Sequence, residues 1–203
     1  KIIYSEISKR ITDKTSDKLA HYLRLKSDGI MISCKTLNID NPKLNCRLEG
    51  FNQFSPKRII LDRNLEINLK SYIAKSIKNE NTIIFHNSND KSKIKLLKKR
   101  GTTLIKQSTD KYKNLDLKKI LKDLYKMEIR NLLVEGGDIL TKNFIQKKLF
   151  NEFYVFRSSK NLSKNKKHVN FTSFSILNTK YNKHKINSKL ASDKLTIYKN
   201  WNV

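Results

Sequence analysis

The chain is 203 residues long, with 37% hydrophobic residues and a formal net charge of +26 at pH 7. This length allows one domain or two small ones, with a core that needs no covalent staples. The two cysteines exclude a disulfide-dense secreted scaffold, and no apolar run approaches the roughly 18 residues that a membrane-spanning helix needs. The first ten residues hold no apolar signal-peptide core, so we expect a cytoplasmic protein without a membrane partner.

Hydrophobic periodicity and turn signals predict strands that alternate with helices. In chain order, the predicted elements are a helix at 12–26, a strand at 29–33, a loop at 38–42, strands at 58–61 and 82–85, a helix at 91–99, a strand at 102–105, a helix at 115–127, a strand at 131–135, a helix at 139–148, a strand at 150–156 and strands at 186–190 and 194–198 joined by a turn at 191–193. This alternation is typical of an α/β fold, with a mostly parallel sheet flanked by helices. The C-terminal hairpin is expected to add antiparallel strands at an edge of that sheet, and one domain is expected over residues 1–203.

The positive charge is carried mainly by lysine, because 36 of the 44 basic residues are Lys and only eight are Arg. A strongly basic chain suggests a nucleic-acid partner. However, Lys, Asn and Ile also rise together when codons are rich in A and T, and nucleic-acid sites favour Arg for its planar fork. The eight arginines are therefore the informative basic residues, and nucleic acid is not the expected partner.

The strand predicted at 131–135 ends in Glu135, and Gly136, Gly137 and a helix follow it. In parallel sheets, ligands bind at the carboxyl ends of strands near a topological switch point. Glycines at such a turn let the backbone approach a ligand, and the N–H groups that begin a helix favour an anion. The segment is therefore a candidate anion site, with a plain tight turn as the alternative. Its spacing differs from those of a dinucleotide fingerprint and a Walker motif.

A second polar segment follows the strand at 29–33, and it carries Thr36, Asp40 and Arg47 in a predicted loop. Thr36 and Asp40 fit either ligand contacts or caps of turns. Arg47, together with Arg24, fits either a surface charge or a bidentate phosphate site.

The remaining residues with chemical potential predict no site of their own. The four histidines and two cysteines lack zinc-ligand spacing, and no Gly-x-Ser-x-Gly elbow is present, so neither a metal nor a serine hydrolase is expected. Cys34 and Cys46 are expected to be small fillers or free thiols. His86 follows a strand and is expected to be a solvated loop histidine.

In chain order, the motifs of residues 1–156 resemble the reductase domain of the bacterial riboflavin-biosynthesis deaminase/reductase family. The matching segments are Ser8-Lys9-Arg10-Ile11-Thr12, Arg24, Ser27-Asp28-Gly29-Ile30, Thr36 with Asp40, Pro42, Leu44 and Arg47, Pro56-Lys57-Arg58-Ile59-Ile60-Leu61-Asp62, and Val134-Glu135-Gly136-Gly137. The family's counterparts are Ser-x-Trp-Ile-Thr, an arginine, Ser-Asp-Ala-Ile, Thr-x-x-x-Asp-x-Pro-x-Leu-x-x-Arg, Pro-x-Arg-x-x-Leu-Asp and Val-Glu-Gly-Gly. The spacing from Ser8 to Arg47 matches without a gap.

This resemblance implies a dihydrofolate-reductase-like fold and reduction of 5-amino-6-(5-phosphoribosylamino)uracil to its ribitylamino product, with hydride from NADPH. By position, the implied substrate-binding residues are Ser8, Arg24, Leu44, Arg47 and Glu135. The two arginines suit the substrate phosphate, and Glu135 suits the ribose or the base. The implied NADPH-binding residues are Arg10, Thr36, Asp40, Gly136 and Gly137, with the glycine turn facing the pyrophosphate. No residue is implied as a catalytic acid or base, and a homodimer is expected.

The chain departs from the family pattern at three places. Arg10 stands where the family has Trp, and its guanidinium can stack or contact a phosphate instead. The segment after Phe156 lacks the family's Ala-Pro and Leu-Leu-Gly pattern. The chain begins just after the family's Ser-x-Asp-Gly segment, so the first strand is expected to be missing from it, and a zinc deaminase domain is expected upstream or on a separate chain.

Other functions remain open alongside the reductase. They are another pyrimidine or pterin reductase of the same fold, an inactive domain that keeps the fold, and a basic nucleic-acid-binding protein. The placement of charge separates the last of these from an enzyme. Arginines that converge on a pocket favour the enzyme, whereas a continuous lysine stripe interleaved with Tyr and Phe favours nucleic acid.

Overall fold

The structure of the chain is a computed structural model that describes residues 2–3, 12–78, 81–159, 168–169, 174–181 and 185–200. The chain divides into two compact units, of which one spans residues 21–136 and the other combines residues 1–20 with residues 137–203. Among the described residues, no helix has the length and apolar character that crossing a membrane requires.

Strands and helices alternate along most of the described chain. The strands are β1 (Ile2–Ile3), β2 (Gly29–Ser33), β3 (Lys57–Leu61), β4 (Thr82–His86), β5 (Thr103–Lys106), β6 (Leu132–Val134), β7 (Glu152–Arg157), β8 (His168–Val169), β9 (Lys185–Leu190) and β10 (Asp193–Lys199). The helices are α1 (Lys14–Leu25), α2 (Cys34–Asp40), α3 (Tyr72–Lys75), α4 (Lys91–Lys99), α5 (Leu117–Lys126), α6 (Asp138–Gln146) and α7 (Phe174–Lys180). Each long element lies within a few residues of its predicted position.

The unit of residues 21–136 is built on a five-stranded sheet in the order β5-β4-β3-β2-β6. Every neighbouring pair of strands in this sheet is parallel. The central strands are apolar and buried, as strands covered on both faces are expected to be. One core cluster joins strand and helix side chains, among them Ile30, Ile32, Ile60, Ile84, Leu37, Ile73 and Leu97. The α/β fold with a mostly parallel sheet is therefore confirmed.

Local sequence signals set the ends of the helices in this unit. Asp90 and Asp116 cap α4 and α5, because their carboxylates accept backbone N–H groups from Lys93 (3.0 Å) and Lys118 (3.1 Å). Gly101 follows α4 with a φ of +93°, a left-handed conformation that glycine adopts readily.

The strand order creates a topological switch point between β2 and β6. From β2 the chain builds β3, β4 and β5 on one side, and it then returns to place β6 on the other side of β2. The backbone N–H of Glu135, just beyond β6, donates to the carbonyl of Met31 in β2 at 2.9 Å. A ligand crevice is therefore expected where β2 and β6 end.

The other unit contains a separate antiparallel sheet of order β7-β10-β9, together with a pair formed by β1 and β8. The predicted C-terminal hairpin is confirmed, with Ala191 in its turn at a φ of +53°. Its predicted place at an edge of the parallel sheet is wrong. Both edges of β10 are occupied, by β9 and by β7, so these three strands form their own sheet. Its core cluster includes Ile145, Phe150, Leu177, Tyr181 and Tyr198.

Candidate functional site

Thr36 and Asp40 lie on α2, a short helix at the carboxyl end of β2. The prediction of a loop at 38–42 is wrong for residues 38–40, because Ser33 caps this helix. The Ser33 Oγ accepts the backbone N–H of Thr36 at 3.2 Å and lies 3.0 Å from the Thr36 Oγ1. Asn41 ends the helix at a φ of +44°. Thr36 and Asp40 are four residues apart and share one face of α2.

Arg24 and Glu135 form a bidentate ion pair beside the switch point. The Arg24 Nε donates to one carboxylate oxygen of Glu135 at 2.8 Å, and its Nη2 donates to the other at 2.9 Å. The Arg24 side chain is only 14% exposed and that of Glu135 is 31% exposed. Two parallel charge-assisted hydrogen bonds fix the guanidinium plane. Two predicted substrate residues, 111 positions apart, are thereby brought into direct contact.

An open pocket of about 350 Å³ adjoins this pair and is lined by Arg24, Pro42, Lys43, Leu44 and Arg47. Three of the five lining residues carry positive charge. Three of the predicted substrate residues, Arg24, Leu44 and Arg47, therefore meet in one cavity. Such a lining favours an anionic ligand, and guanidinium groups match the oxygens of a phosphate in particular.

Leu44 anchors the lining of the pocket in the core. The whole residue is 1% exposed, and its side chain belongs to the core cluster of the parallel sheet. Its φ of +54° lies in the left-handed region, which is costly for a residue with a Cβ. The buried side chain anchors this strained conformation, which turns the chain from Pro42 towards Arg47.

Arg47 is exposed, and both its backbone and its side chain make hydrogen bonds. Its backbone N–H donates to the Nδ1 of His21 at 3.1 Å, and its Nη1 donates to the Oδ1 of Asn45 at 3.0 Å. The backbone carbonyl of Asn45 also accepts from the Nη1 of Arg24 at 3.2 Å. Sequence reasoning assigned no role to Asn45, His21 or Lys43. Asn45 stands between the motif residues Leu44 and Arg47, and this position could have indicated a role for it. Lys43 is one of 36 lysines, so its residue type alone did not single it out.

The glycine turn lies at the start of α6. Gly137 is the N-cap residue, with φ −67° and ψ 170°, and no side chain caps the helix. Positive φ values occur at Gly50 and Gly101, and neither Gly136 nor Gly137 has one. Backbone conformation therefore does not require glycine at either position. The anion site at this glycine pair stays a prediction, with the plain tight turn as its alternative.

The other predicted site residues give mixed results. Ser8 and Arg10 lie outside the described residues. Cys34 and Cys46 are buried free thiols, and burial raises the pKa of the Cys34 thiol. His86 is not the solvated loop histidine that was predicted, since it ends β4, is 4% exposed, and has its pKa lowered mainly by burial. In the described part of the chain, no three His, Cys, Asp or Glu side chains are grouped to hold a metal ion.

Comparisons with known proteins point to one family. The family model described as RibD C-terminal domain matches residues 4–188. The chain is 33% identical over 153 residues to the riboflavin biosynthesis protein RibD of Aquifex aeolicus, covering 75% of the chain and 41% of that protein. It is 29% identical over 143 residues to the 2,5-diamino-6-ribosylamino-4(3H)-pyrimidinone 5′-phosphate reductase of the same organism, covering 70% of the chain and 61% of that protein. The chain thus spans roughly two fifths to three fifths of the curated relatives it matches.

Solved structures support the fold. The RibD of Acinetobacter baumannii superimposes with a TM-score of 0.73 at 19% identity, covering 98% of the chain and 54% of that protein. This likeness confirms the fold that the resemblance implied.

Proposed function

The chain belongs to the RibD C-terminal domain family, and from that membership we propose that it reduces a phosphorylated ribosylaminopyrimidine of riboflavin biosynthesis. The proposed substrate is 5-amino-6-(5-phosphoribosylamino)uracil, the product is its ribitylamino counterpart, and the reductant is NADPH. A relative named for the 2,5-diaminopyrimidinone 5′-phosphate makes that compound the alternative substrate. Both compounds carry a 5′-phosphate on a ribosylamino group.

The pocket beside the switch point is the observation that carries this proposal. Arg24, Lys43 and Arg47 line it, and the topology places it where open α/β sheets bind ligands. In our proposal Arg24 and Arg47 bind the substrate phosphate. The bidentate contact from Glu135 holds Arg24 in place, and the outer lone pairs of that carboxylate accept hydrogen bonds from the ribose or the base. Leu44 and Ser8 belong to the same proposed set of substrate-binding residues.

The residues proposed for the cofactor suit an anionic dinucleotide. The start of α6 follows the Gly136-Gly137 turn, and the backbone N–H groups and dipole of a helix N-terminus favour a pyrophosphate. The Thr36 hydroxyl and the Asp40 carboxylate share a face of α2 and suit ribose or amide groups, and Arg10 joins this set by position. When bound, NADPH would supply a hydride to C1′ of the imine that forms when the ribose ring opens; the imine nitrogen takes a proton from solvent, and C1′ becomes a CH₂ group. The task of this chain is to hold C1′ against the hydride donor.

The distribution of arginines favours the enzyme over a nucleic-acid-binding protein. Two of the eight arginines line the pocket, while Arg58 is fully buried within β3. We further propose that the chain acts in the cytoplasm as a homodimer, with a zinc deaminase domain on the same or a separate chain. The 41% share that the chain spans of the RibD relative leaves room for such a domain in that protein.

Cofactor titration tests this proposal first. NADPH and NADH are titrated into the chain, and nicotinamide fluorescence is followed at two salt concentrations. The proposal predicts saturable binding that prefers NADPH and survives the higher salt. Weak binding of both nucleotides that disappears with salt would instead indicate non-specific attraction of polyanions.

A substrate assay then separates the candidate reactions. NADPH oxidation is followed with the uracil and with the 2,5-diaminopyrimidinone, each as the 5′-phosphate. A higher kcat/KM for the uracil is expected. A preference for the diaminopyrimidinone would assign the alternative substrate, and turnover of neither by a chain that binds NADPH would favour another reductase or an inactive domain.

A further inference from the structure

One residue of the pocket loop contacts both pocket arginines. The backbone carbonyl of Asn45 accepts from the Nη1 of Arg24 at 3.2 Å, and its side-chain carbonyl accepts from the Nη1 of Arg47 at 3.0 Å. The flanking residues Leu44 and Cys46 are both 1% exposed. The N–H of Cys46 also donates to the Ser55 hydroxyl at 3.1 Å. The backbone of Asn45 is therefore held in place on both sides.

The two arginines are oriented in electrically different ways. Glu135 orients Arg24 with a carboxylate, which offsets the charge of its guanidinium. Asn45 orients Arg47 with a neutral amide, which adds a hydrogen bond but no negative charge. An exposed arginine otherwise samples many rotamers, and a ligand must then restrict them at an entropic cost. A neutral acceptor lowers this cost without adding a negative charge of its own that would compete with an anion.

We infer that Asn45 is a positioning residue that presents the Arg47 guanidinium to the phosphate of the ligand. This inference rests on the proposed function only in taking a phosphate as the group that enters the pocket. Asn45 acts through Arg47, whereas its contact with Arg24 is made by backbone and is independent of the side chain.

The backbone contact makes Asn45→Ala a selective variant, because it removes the hydrogen bond to Arg47 and keeps the one to Arg24. We expect Asn45→Ala to weaken binding of ribose 5-phosphate roughly three- to tenfold, measured by calorimetry, and to leave the weaker binding of ribose unchanged. The KM for the phosphorylated pyrimidine should rise by the same factor at constant kcat.

Asn45→Asp should weaken phosphate binding further, because its carboxylate competes with the phosphate for Arg47. Asn52→Ala, in the same loop with an exposed side chain, is the matched control and should bind as the wild type.

A double-mutant cycle with Arg47→Ala decides between positioning and a separate structural role. If Asn45 acts through Arg47, the double variant Asn45→Ala/Arg47→Ala binds ribose 5-phosphate as weakly as Arg47→Ala alone. An unchanged Asn45→Ala variant, or a full Asn45→Ala effect that persists in the Arg47→Ala background, would overturn the inference. A wild-type chain that binds ribose 5-phosphate no better than ribose would overturn the phosphate pocket itself, and with it the proposed function. Measured binding without reductase activity would contradict only the proposed function.

Discussion

The two ends of the parallel sheet use arginine in opposite ways. At the amino end, Arg58 near the start of β3 is fully buried, and its guanidinium donates to the hydroxyls of Thr82 and Ser76 at 2.8–3.0 Å. At the carboxyl end, Arg24 and Arg47 line an open pocket. One of these is held by a carboxylate and the other by an amide. Arginine therefore stabilises the fold at one end of the sheet and lines the candidate ligand pocket at the other.

This contrast teaches that residue type alone does not identify a binding residue. A buried guanidinium must satisfy its donors inside the protein, because an unsatisfied buried charge is very costly. A guanidinium at a pocket is positioned by a few contacts and presents its remaining donors outward. Independent measurements of stability and of binding separate the two uses.

The largest effect is a loss of stability, and it is expected at the amino end of the parallel sheet. Arg58→Lys should lower the free energy of unfolding by about 3 kcal/mol, because an ammonium group cannot reproduce the three-pronged contact with Thr82 and Ser76. Denaturant unfolding measures this change, with the exposed Arg130→Lys as the matched control. The KM of the folded variant for the phosphorylated pyrimidine should stay at the wild-type value. A changed KM with unchanged stability would contradict the proposal that Arg58 stabilises the fold.

The second largest effect is a loss of substrate binding, and it is expected at the pocket. Arg47→Ala should raise the KM for the phosphorylated pyrimidine roughly 10- to 100-fold, because a charged hydrogen-bond donor to the phosphate is lost. The KM for NADPH and the free energy of unfolding should barely move, since the Arg47 side chain is exposed. Steady-state kinetics with each substrate varied in turn measures both constants, and Arg130→Ala serves as the control. An equal rise in both KM values would refute the phosphate assignment.

A smaller effect is expected from Glu135→Gln. The amide keeps one acceptor oxygen but loses the second one and the charge, so Arg24 is held less firmly. The KM for the phosphorylated pyrimidine should rise about fivefold to tenfold. The exposed Glu128→Gln variant controls for the loss of one negative charge elsewhere. Wild-type kinetics in Glu135→Gln would show that the ion pair does not organise the pocket.

The smallest effect concerns His86, a carboxyl-end residue that is buried as Arg58 is. Burial lowers its folded-state pKa below the ordinary 6.5, so the unfolded chain takes up the proton first as the pH falls. The neutral histidine therefore contributes stability that is complete above about pH 6.5 and is lost below it. Thermal unfolding between pH 7 and pH 5 should show a shallower decline for His86→Gln than for the wild type. If melting temperature declined with pH at the same rate in both proteins, the folded state would not lower the pKa of His86.

Elements with strong local signals were predicted well, and those set by contacts between distant residues were not. Helix α5 follows from apolar spacing, and β2 follows from an unbroken apolar run. Helix α2 was missed because its seven residues contain too little apolar periodicity. The separate sheet of β7, β9 and β10 was missed because strand pairing between distant segments leaves no mark within either segment.

The sequence by itself determined the element order, the family and the short set of residues that could bind a phosphate. These follow from residue types and their spacing along the chain. Only the tertiary structure decided that Arg24 pairs with Glu135, that Arg58 is buried, and that Asn45 contacts both pocket arginines. The physical reason is that a hydrogen bond depends on the separation of two groups in space, and the order of strands in the sheet sets that separation.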